Sequence, residues 1–352
     1  MSEFHTLSIK DKAAQTAQAV TLTLAIPEHL RGDFAVIPGQ HVKLKTRIGD
    51  EDVERFYSVC AYGDDFVQVG IKRVDGGIFS GFACGEVKAG DTIGVMKPQG
   101  DFHLPQGEAL QAGKNYCFLA AGSGITPIYA MIDYLLKNTD AQMTLIYVNA
   151  SQKDIMFFAE LEALKNVYMS RFSLVHVLTR EPRDLPLLSA RPEGERVGQL
   201  LDAFVDAKSL DHAYLCGPLP LIEQFREALL ARGLTTKQVH LELFGTPTSQ
   251  ASRKPVVHSE NDRKITVISQ GREQKIAVAE GQNILDAALE AGANVPFACK
   301  GGVCATCKAK LIEGEADMTI NYGLEDDEVA AGYILTCQAH VKSDTAIVDF
   351  DV

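Results

Sequence analysis

The sequence predicts a multidomain chain in which an antiparallel β-barrel, a doubly wound α/β domain with a parallel sheet, and a small α+β domain follow one another. Three observations lead to this fold class. Short strand-like segments separated by turns fill the N-terminal part, apolar runs alternate with helical segments in the middle, and cysteines crowd together near the C-terminal end. The 352 residues suffice for two or three domains, since a domain usually has about 100–200 residues.

The first predicted domain covers residues 1–108. Its strand-like segments are residues 20–24, 41–44, 67–71 and 93–95, and turn residues such as Pro38–Gly39 and Gly76–Gly77 separate them. Many short strands with such punctuation indicate an antiparallel barrel or sandwich.

The second predicted domain covers residues 109–246. Apolar strand-like runs occur at residues 117–121, 144–148, 174–178, 213–216 and 239–243, and helical segments at residues 127–136, 155–164 and 219–231. Continuous apolar strands that alternate with helices indicate a parallel, doubly wound sheet.

A polar segment with Pro247 and Pro255 follows, and we interpret residues 247–262 as a linker. The third predicted domain covers residues 263–352. It opens with a hairpin of residues 264–269 and 274–278 and a short amphipathic helix at residues 284–291.

The overall charge and the absence of sorting signals narrow the possible partners. The formal net charge is -12, so nucleic acid is not an expected partner. Residues 1–10 lack the basic and apolar regions of a signal peptide, and no apolar run reaches the roughly 20 residues that span a bilayer. We therefore expect a cytoplasmic protein without membrane insertion, in which a disulfide framework is not expected.

The cysteine spacing is the most specific pattern in the chain. Cys299-x4-Cys304-x2-Cys307, with Cys337 much later, is the spacing of a plant-type [2Fe–2S] cluster. Small residues between these cysteines allow backbone N–H groups to point at the cluster sulfurs. A structural zinc site is the alternative, but it usually shows two C-x2-C pairs, and here only Cys304 and Cys307 have that spacing.

Two loops of the second domain predict a nucleotide site. The first follows a strand, opens a helix and is rich in glycine: Gly122, Ser123, Gly124, Ile125, Thr126 and Pro127. The second is Cys216–Gly217–Pro218, at the end of a later strand. Ligands of such sheets bind at the carboxyl ends of the strands, so both loops are expected on one rim. Alternatively, the first loop is a simple strand–helix turn and Cys216 a core residue.

The first domain contains candidate flavin ligands. Arg55 offers a cation for phosphate, Tyr57 a ring for stacking and Ser58 a hydroxyl for a ring nitrogen. Further candidates are Val59, Ile71, Lys72 and the glycine turn with Gly77, Ile78, Phe79 and Ser80. Taken one at a time, these residues favour the plainer interpretation, with Arg55 as a surface charge and Tyr57 as a core aromatic.

Together these motifs resemble the ferredoxin–NADP reductase superfamily, followed from about residue 263 by a plant-type ferredoxin. A narrower resemblance, to reductase subunits of phenylacetyl-CoA 1,2-epoxidases, lies in residues 298–307, Asn321–Tyr322 and residues 330–338. It implies a β-grasp fold for the third domain. It also implies FAD as the flavin, with FMN as the alternative.

The resemblance further implies individual roles. Arg55 meets the flavin phosphates, Tyr57 stacks on the isoalloxazine, and Ser58 approaches its N5 atom. Residues 78–80 hold the pyrophosphate, and Phe244 covers the other flavin face. Thr126 and Cys216 lie beside the nicotinamide, which makes Ser58 and Cys216 the catalytic candidates.

The nucleotide is expected to be NADPH rather than NADH. Arg180 and Arg191 are the candidate cations for the 2′-phosphate. Related reductases often carry arginine at the position of Ala150, so Ser151 or Lys153 is a possible substitute.

The implied function is electron transfer from NADPH through FAD and the [2Fe–2S] cluster to the diiron oxygenase component of a multicomponent monooxygenase. Alternatives are the reductase of a ring-hydroxylating dioxygenase or of a hybrid-cluster protein, and a redox-sensing module. The acidic run at residues 325–328 is either a solvated face or a surface that steers a basic partner.

Overall fold

The computed structural model describes residues 4–107, 113–244, 262–297 and 299–352. The chain forms two compact units, Met1–His240 and Leu241–Val352, and each is described by itself. The predicted linker lies outside the described residues except for its last position, Asp262. The domain limits therefore remain predictions.

The predicted barrel is confirmed. Its strands are β1 (His5–Thr16), β2 (Ala19–Ala25), β3 (His41–Ile48), β4 (Glu51–Gly63), β5 (Phe66–Lys72) and β6 (Thr92–Val95), and helix α1 (Ile78–Gly85) follows β5. The strands close in the order β1-β2-β5-β4-β3-β6 with antiparallel pairing. Alternate side chains such as Leu22, Leu24 and Val69 point into the closed barrel and are fully buried, as the strand period of two requires.

The parallel sheet of the second domain is also confirmed. Its elements are β7 (Asn115–Ala121), α2 (Ile125–Asn138), β8 (Gln142–Asn149), α3 (Phe158–Val167), β9 (Phe172–Leu178), α4 (Glu195–Phe204), β10 (His212–Gly217), α5 (Leu219–Leu230) and β11 (Val239–Leu243). The strand order is β11-β10-β7-β8-β9. The β10, β7, β8 and β9 strands run parallel, and Cys216 lies opposite Ala120. The carboxyl ends of β7 and β10 are therefore neighbours.

Two helices of the second domain differ clearly from the prediction. The α3 helix begins at Phe158 rather than residue 155, because Phe157 adopts a left-handed conformation with φ of 57° that ends the preceding segment. The α4 helix was not predicted; Gly198 lies within it, and glycine has a low helix propensity. Its buried stripe consists only of Val197, Leu200 and Leu201.

The third domain has the expected β-grasp arrangement. Its elements are β12 (Arg263–Ser269), β13 (Arg272–Val278), α6 (Ile284–Glu290), β14 (Lys308–Glu313), β15 (Ala316–Met318), α7 (Asp326–Ala330), β16 (Tyr333–Leu335), β17 (Ala339–Val341) and β18 (Thr345–Asp349). A mixed sheet has the order β13-β12-β18-β14-β16, and β15 pairs with β17. The α6 helix buries Ile284, Leu285 and Ala288 against this sheet.

Among the residues that the structure describes, no helix is both long and apolar enough to span a membrane.

Candidate functional site

Strand β4 and helix α1 bring the flavin candidates together. Tyr57 is half-buried and packs on Phe79 of α1, with 5.3 Å between the ring centroids and 40° between the planes. Ser58 is 2% exposed and pairs across the sheet with His41 of β3. Arg55 is exposed, and its Nη1 atom donates to the carbonyl of Glu54 at 2.7 Å. Its guanidinium therefore faces solvent, where a phosphate can approach.

The start of α1 is built as an anion site. Gly77 caps the helix, and the first helical amide with an intrahelical acceptor is that of Gly81, which donates to the Gly77 carbonyl at 2.8 Å. The amides before it lie at the positive end of the helix dipole. The Ser80 hydroxyl accepts from the Val74 amide at 3.1 Å and donates to the Gly77 carbonyl at 3.3 Å, so it holds the turn closed. This geometry fits the expected flavin pyrophosphate.

The glycine loop lies against the barrel. Gly122 has a φ of +55°, and a Cβ at this position would lie 3.8 Å from Lys72 Nζ. The ammonium of Lys72, at the end of β5, is therefore beside the nucleotide loop. The buried Tyr147 hydroxyl donates to the Gly122 carbonyl at 3.0 Å and fixes the loop from below. The sequence alone did not point to Tyr147, because it reads there as one more apolar strand residue.

The two predicted nucleotide loops touch. A Cβ on Gly124 would lie 2.2 Å from the Cys216 carbonyl oxygen and 3.2 Å from its Sγ atom. A Cβ on Gly217 would lie 2.9 Å from that of Ala121. The expected common rim is therefore observed. The Thr126 hydroxyl donates to the Ser123 carbonyl at 3.0 Å within the loop. Cys216 has no exposed surface in this structure.

The candidates for the 2′-phosphate lie in different surroundings. The Arg180 amide donates to the Ala150 carbonyl at 2.8 Å, and its side chain is exposed. Arg191 instead pairs with Glu193 at 3.0 Å. The Ser151 hydroxyl donates to Asp154 at 2.6 Å, which makes it a poor substitute for a cation. Within the described part of the chain, no acidic side chain forms an ion pair with Arg180.

Phe244 follows β11 directly and is half-buried. It is the last described residue before residue 262, so its predicted role over the flavin remains a prediction.

Cys299, Cys304 and Cys307 lie in one loop. Cys337 lies later, in the turn between β16 and β17. Cys299 and Cys304 are half-buried, whereas Cys307 and Cys337 are 3% and 4% exposed. The loop is turned by left-handed residues, with φ of 52° at Lys300 and 76° at Gly302. These angles reverse the direction of the backbone within the loop that carries Cys299, Cys304 and Cys307.

Backbone amides point at the thiols. The amides of Gly301 and Cys304 donate to Cys299 Sγ at 3.3 and 3.4 Å, and the Cys299 amide donates to Cys304 Sγ at 3.4 Å. The Cys304 thiol and these amides lower the pKa of Cys299 to about 6, although burial opposes them. A hydrogen bond from Cys337 likewise lowers the pKa of Cys307.

The thiols thus form two pairs, Cys299 with Cys304 and Cys307 with Cys337. Metal ligation requires thiolates, and two thiolate pairs are the donor set for two irons that each bind two cysteines. Among the described residues, no three His, Cys, Asp or Glu side chains are arranged around a single ion. The residues present fit a [2Fe–2S] cluster.

A later segment closes over the cysteine loop. The Tyr322 amide donates to the Gly302 carbonyl at 2.9 Å. A Cβ on Gly302 would lie 2.8 Å from the Ile320 carbonyl, and a Cβ on Gly323 would lie 2.8 Å from the Val303 carbonyl. The backbones of the two segments meet at Gly302 and Gly323, where no side chain separates them. Residues 320–324 therefore pack directly on the cysteine loop.

Three family models match the chain in the order of its domains. They describe an oxidoreductase FAD-binding domain at residues 6–104, an oxidoreductase NAD-binding domain at residues 118–227, and a 2Fe-2S iron-sulfur cluster binding domain at residues 267–342. Fold and sites thus define a flavin- and nicotinamide-dependent oxidoreductase with an iron–sulfur domain.

Full-length relatives narrow this class. The 1,2-phenylacetyl-CoA epoxidase of Escherichia coli K12 has a subunit that is 41% identical over 100% of this chain and 99% of that protein. The ferredoxin reductase component of 3-ketosteroid-9-alpha-monooxygenase from Mycobacterium tuberculosis H37Rv is 30% identical over 98% of this chain and 95% of that protein. The chain belongs to the family of monooxygenase reductase components that these proteins represent.

Solved structures agree on the fold. Phthalate dioxygenase reductase, a modular structure for electron transfer from pyridine nucleotides to [2Fe-2S], matches 98% of both chains with a TM-score of 0.58 and 23% identity. A ferredoxin NADP+ reductase from Neisseria gonorrhoeae matches 69% of this chain and 99% of that chain with a TM-score of 0.57 and 23% identity.

Proposed function

We propose that this chain is the reductase subunit of a phenylacetyl-CoA 1,2-epoxidase, which takes electrons from NADPH and delivers them to a diiron oxygenase component. The observation that carries the proposal is the approach of Lys72 to Gly122. Lys72 ends β5, a barrel strand that carries flavin candidates. This approach therefore places that strand end beside the nucleotide loop that begins at Gly122. The full-length identity of 41% to a subunit of such an epoxidase supports the choice of acceptor.

The residues around this junction bind and orient two cofactors. Bound FAD would accept two electrons in one step and release them one at a time. The amides at the start of α1 and the exposed Arg55 neutralise the flavin phosphates. Tyr57 and Ser58 hold the isoalloxazine, and Val59 and Ile71 form the buried barrel wall behind them.

Lys72 and the glycine loop receive the nucleotide. An ammonium beside the amides of this loop favours a diphosphate, and the missing Cβ of Gly122 leaves room for its approach to the backbone. Cys216, which packs against Gly124, and Thr126, whose hydroxyl donates to the Ser123 carbonyl, position the nicotinamide.

The preference for NADPH rests on Arg180. Ala150 offers no cation for the 2′-phosphate. Arg180 offers one beside it, because the Arg180 amide donates to the Ala150 carbonyl. A guanidinium is well suited to bind a phosphate through two hydrogen bonds. Arg191 contributes less, since Glu193 already neutralises it.

The acceptor is tested by anaerobic reconstitution with candidate oxygenases, using NADPH and NADH in parallel. With purified epoxidase, NADPH consumption should depend on phenylacetyl-CoA and match its oxidation. A ring-hydroxylating dioxygenase serves as the control acceptor. NADPH consumption that ignores phenylacetyl-CoA would contradict the assignment.

A Cys304→Ser variant separates the reduction of the flavin by NADPH from electron transfer through the cluster. It should lose the cluster absorbance and the coupling to the oxygenase but keep reduction of the bound flavin by NADPH. Unchanged iron content in this variant would overturn the ligand assignment.

A further inference from the structure

Gln338 stands directly after the ligand Cys337, in the turn between β16 and β17. Its own backbone is fixed on both sides. The Gln338 amide donates to the Leu335 carbonyl at 2.9 Å, and its carbonyl accepts from the Thr319 amide at 3.0 Å. The half-buried side chain therefore leaves a rigid turn in a defined direction, toward the cysteine loop.

The carboxamide of Gln338 reaches the cysteine loop and one ligand thiol. Its Nε2 atom donates to the Lys300 carbonyl at 3.0 Å and to Cys337 Sγ at 3.8 Å. A carbonyl only accepts hydrogen bonds, so the nitrogen end of the carboxamide must face Lys300. The two protons of Nε2 then serve one acceptor each. Lys300 adjoins Cys299, so one side chain connects the loop of the first pair to a thiol of the second.

The packing around Gln338 keeps this geometry. A Cβ on Gly302 would lie 3.0 Å from Gln338 Cγ, so the loop backbone rests directly on the side-chain stem. On the other side of Cys337, the buried Thr336 hydroxyl donates to the Cys307 carbonyl at 2.9 Å. Thr336 thus braces the same strand, and its hydroxyl also lowers the pKa of the Cys307 thiol through a hydrogen bond.

Hydrogen bonds to ligand sulfurs change the reduction potential of an iron–sulfur cluster. Reduction adds one negative charge, which spreads onto the thiolates. A donor aimed at a thiolate therefore stabilises the reduced state more than the oxidised state, and its presence raises the potential.

We propose that Gln338 is a positioning residue that raises the reduction potential of the [2Fe–2S] cluster, by donating from Nε2 to Cys337 Sγ while it holds the Lys300 carbonyl. This inference rests on the proposed cluster. It adds a role for a side chain outside the four ligands.

The test uses the full-length holoprotein with Gln338→Met and Gln338→Glu, and Gln274→Met of β13 as the matched control. The measurements are iron and sulfide content, the EPR spectrum of the reduced cluster, and its midpoint potential by redox titration. Gln338→Met removes both donors at similar size, so the potential should become more negative. Gln338→Glu adds a negative charge and should lower it further. Gln274→Met removes a carboxamide that donates to the Ala291 carbonyl at 2.7 Å, so it should shift the potential less.

The outcomes separate this inference from the proposed function. A wild-type chain that binds no iron after reconstitution would refute the proposed function itself. A fully loaded Gln338→Met variant with an unchanged potential would overturn the role of Gln338, as would equal shifts in Gln338→Met and Gln274→Met. If Gln338→Met loses iron, Gln338→Glu decides. Loss of iron from both variants would show a structural brace only and would also overturn the proposal.

Discussion

Where the glycine loop after β7 meets the end of β10, the contact depends on the missing side chain of Gly124. Its φ is not in the left-handed region, so the requirement comes from space rather than from backbone conformation. The neighbouring atom is a backbone carbonyl oxygen, that of Cys216, which cannot turn away as a flexible side chain does. Any larger residue must push the two loops apart.

We expect Gly124→Ala to slow the reduction of bound flavin by NADPH by at least about tenfold, since a displacement of about 1 Å at a reacting site can cost about a hundredfold. Stopped-flow bleaching of the flavin measures this rate. Gly81→Ala is the matched control, because a Cβ there meets nothing within 4 Å and alanine is the better helix former. Equal rates in both variants would contradict the proposed role of the contact.

Arg180 gives a second prediction at the scale of single residues. Arg180→Ala should raise KM for NADPH by about tenfold or more and leave KM for NADH nearly unchanged, because hydrogen bonds to a charged group contribute about 1.5–3 kcal/mol. Arg191→Ala is the control and should change KM for NADPH less. Steady-state kinetics with both nucleotides measures the difference, and a reversed order of the two variants would assign the phosphate to Arg191.

The sequence predicted these residues unevenly. Cysteine spacing and the glycine loops are local patterns, so their chemistry is readable from short segments. Tyr147, which holds the Gly122 carbonyl, and Gln338, which holds the Lys300 carbonyl, act across 25 and 38 residues. A single sequence does not record which distant carbonyl a side chain will reach.

At the scale of elements, α1 is held at both ends. Its start carries the flavin-phosphate turn, and its end is capped by Lys12 of β1, whose Nζ atom donates to the carbonyls of Cys84 and Val87 at 3.0 and 2.9 Å. A cation at a helix C-terminus satisfies the last carbonyls and interacts favourably with the helix dipole.

We expect Lys12→Met to lower the free energy of unfolding by about 1 kcal/mol and to weaken FAD retention, because α1 loses its anchor. Chemical denaturation and the release of flavin fluorescence measure these effects. Lys10→Met, on the same strand, is the control. Lys10 forms an exposed ion pair with Asp65 at 3.0 Å, and such pairs contribute little. Retention of flavin equal to that of Lys10→Met would argue against the anchor.

Strands and helices were predictable where the apolar period is regular. The predicted bounds of the core strands of the parallel sheet agree with the observed bounds within a few residues, since each strand is a continuous apolar run. The α4 helix was not predicted although Val197, Leu200 and Leu201 have helical spacing, because Gly198 within it weakens the helical signal. The start of α3 was misplaced because Ile155 and Met156 are buried by tertiary packing without being helical.

At the scale of the whole molecule, the barrel and the nucleotide domain form one compact unit. A Cβ on Gly70 of β5 would lie 2.5 Å from Thr126 Cγ2 and 3.2 Å from Met156 Cε. The Phe157 amide also donates to the Gln15 side chain at 3.0 Å. Such contacts between domains leave no periodic pattern in the sequence, so only the domain order was predictable.

We expect Gly70→Ala to separate the barrel from the start of α2 and to slow reduction of the flavin by NADPH by about tenfold or more. Photoreduction of the same flavin should be unaffected, since it does not need the nucleotide. Gly32→Ala is the control, because its Cβ would meet nothing within 4 Å. A slower photoreduction would indicate damage to the barrel rather than to the junction.

The β18 strand has a consequence for biosynthesis. It follows all four cysteine ligands in the chain, yet it lies at the centre of the third domain's sheet, between β12 and β14. During translation, every ligand leaves the ribosome before the strand that joins the two halves of the sheet. We therefore expect iron and sulfide to enter a folded site only after β18 has been synthesised, so the cellular machinery that delivers them acts after translation of this domain.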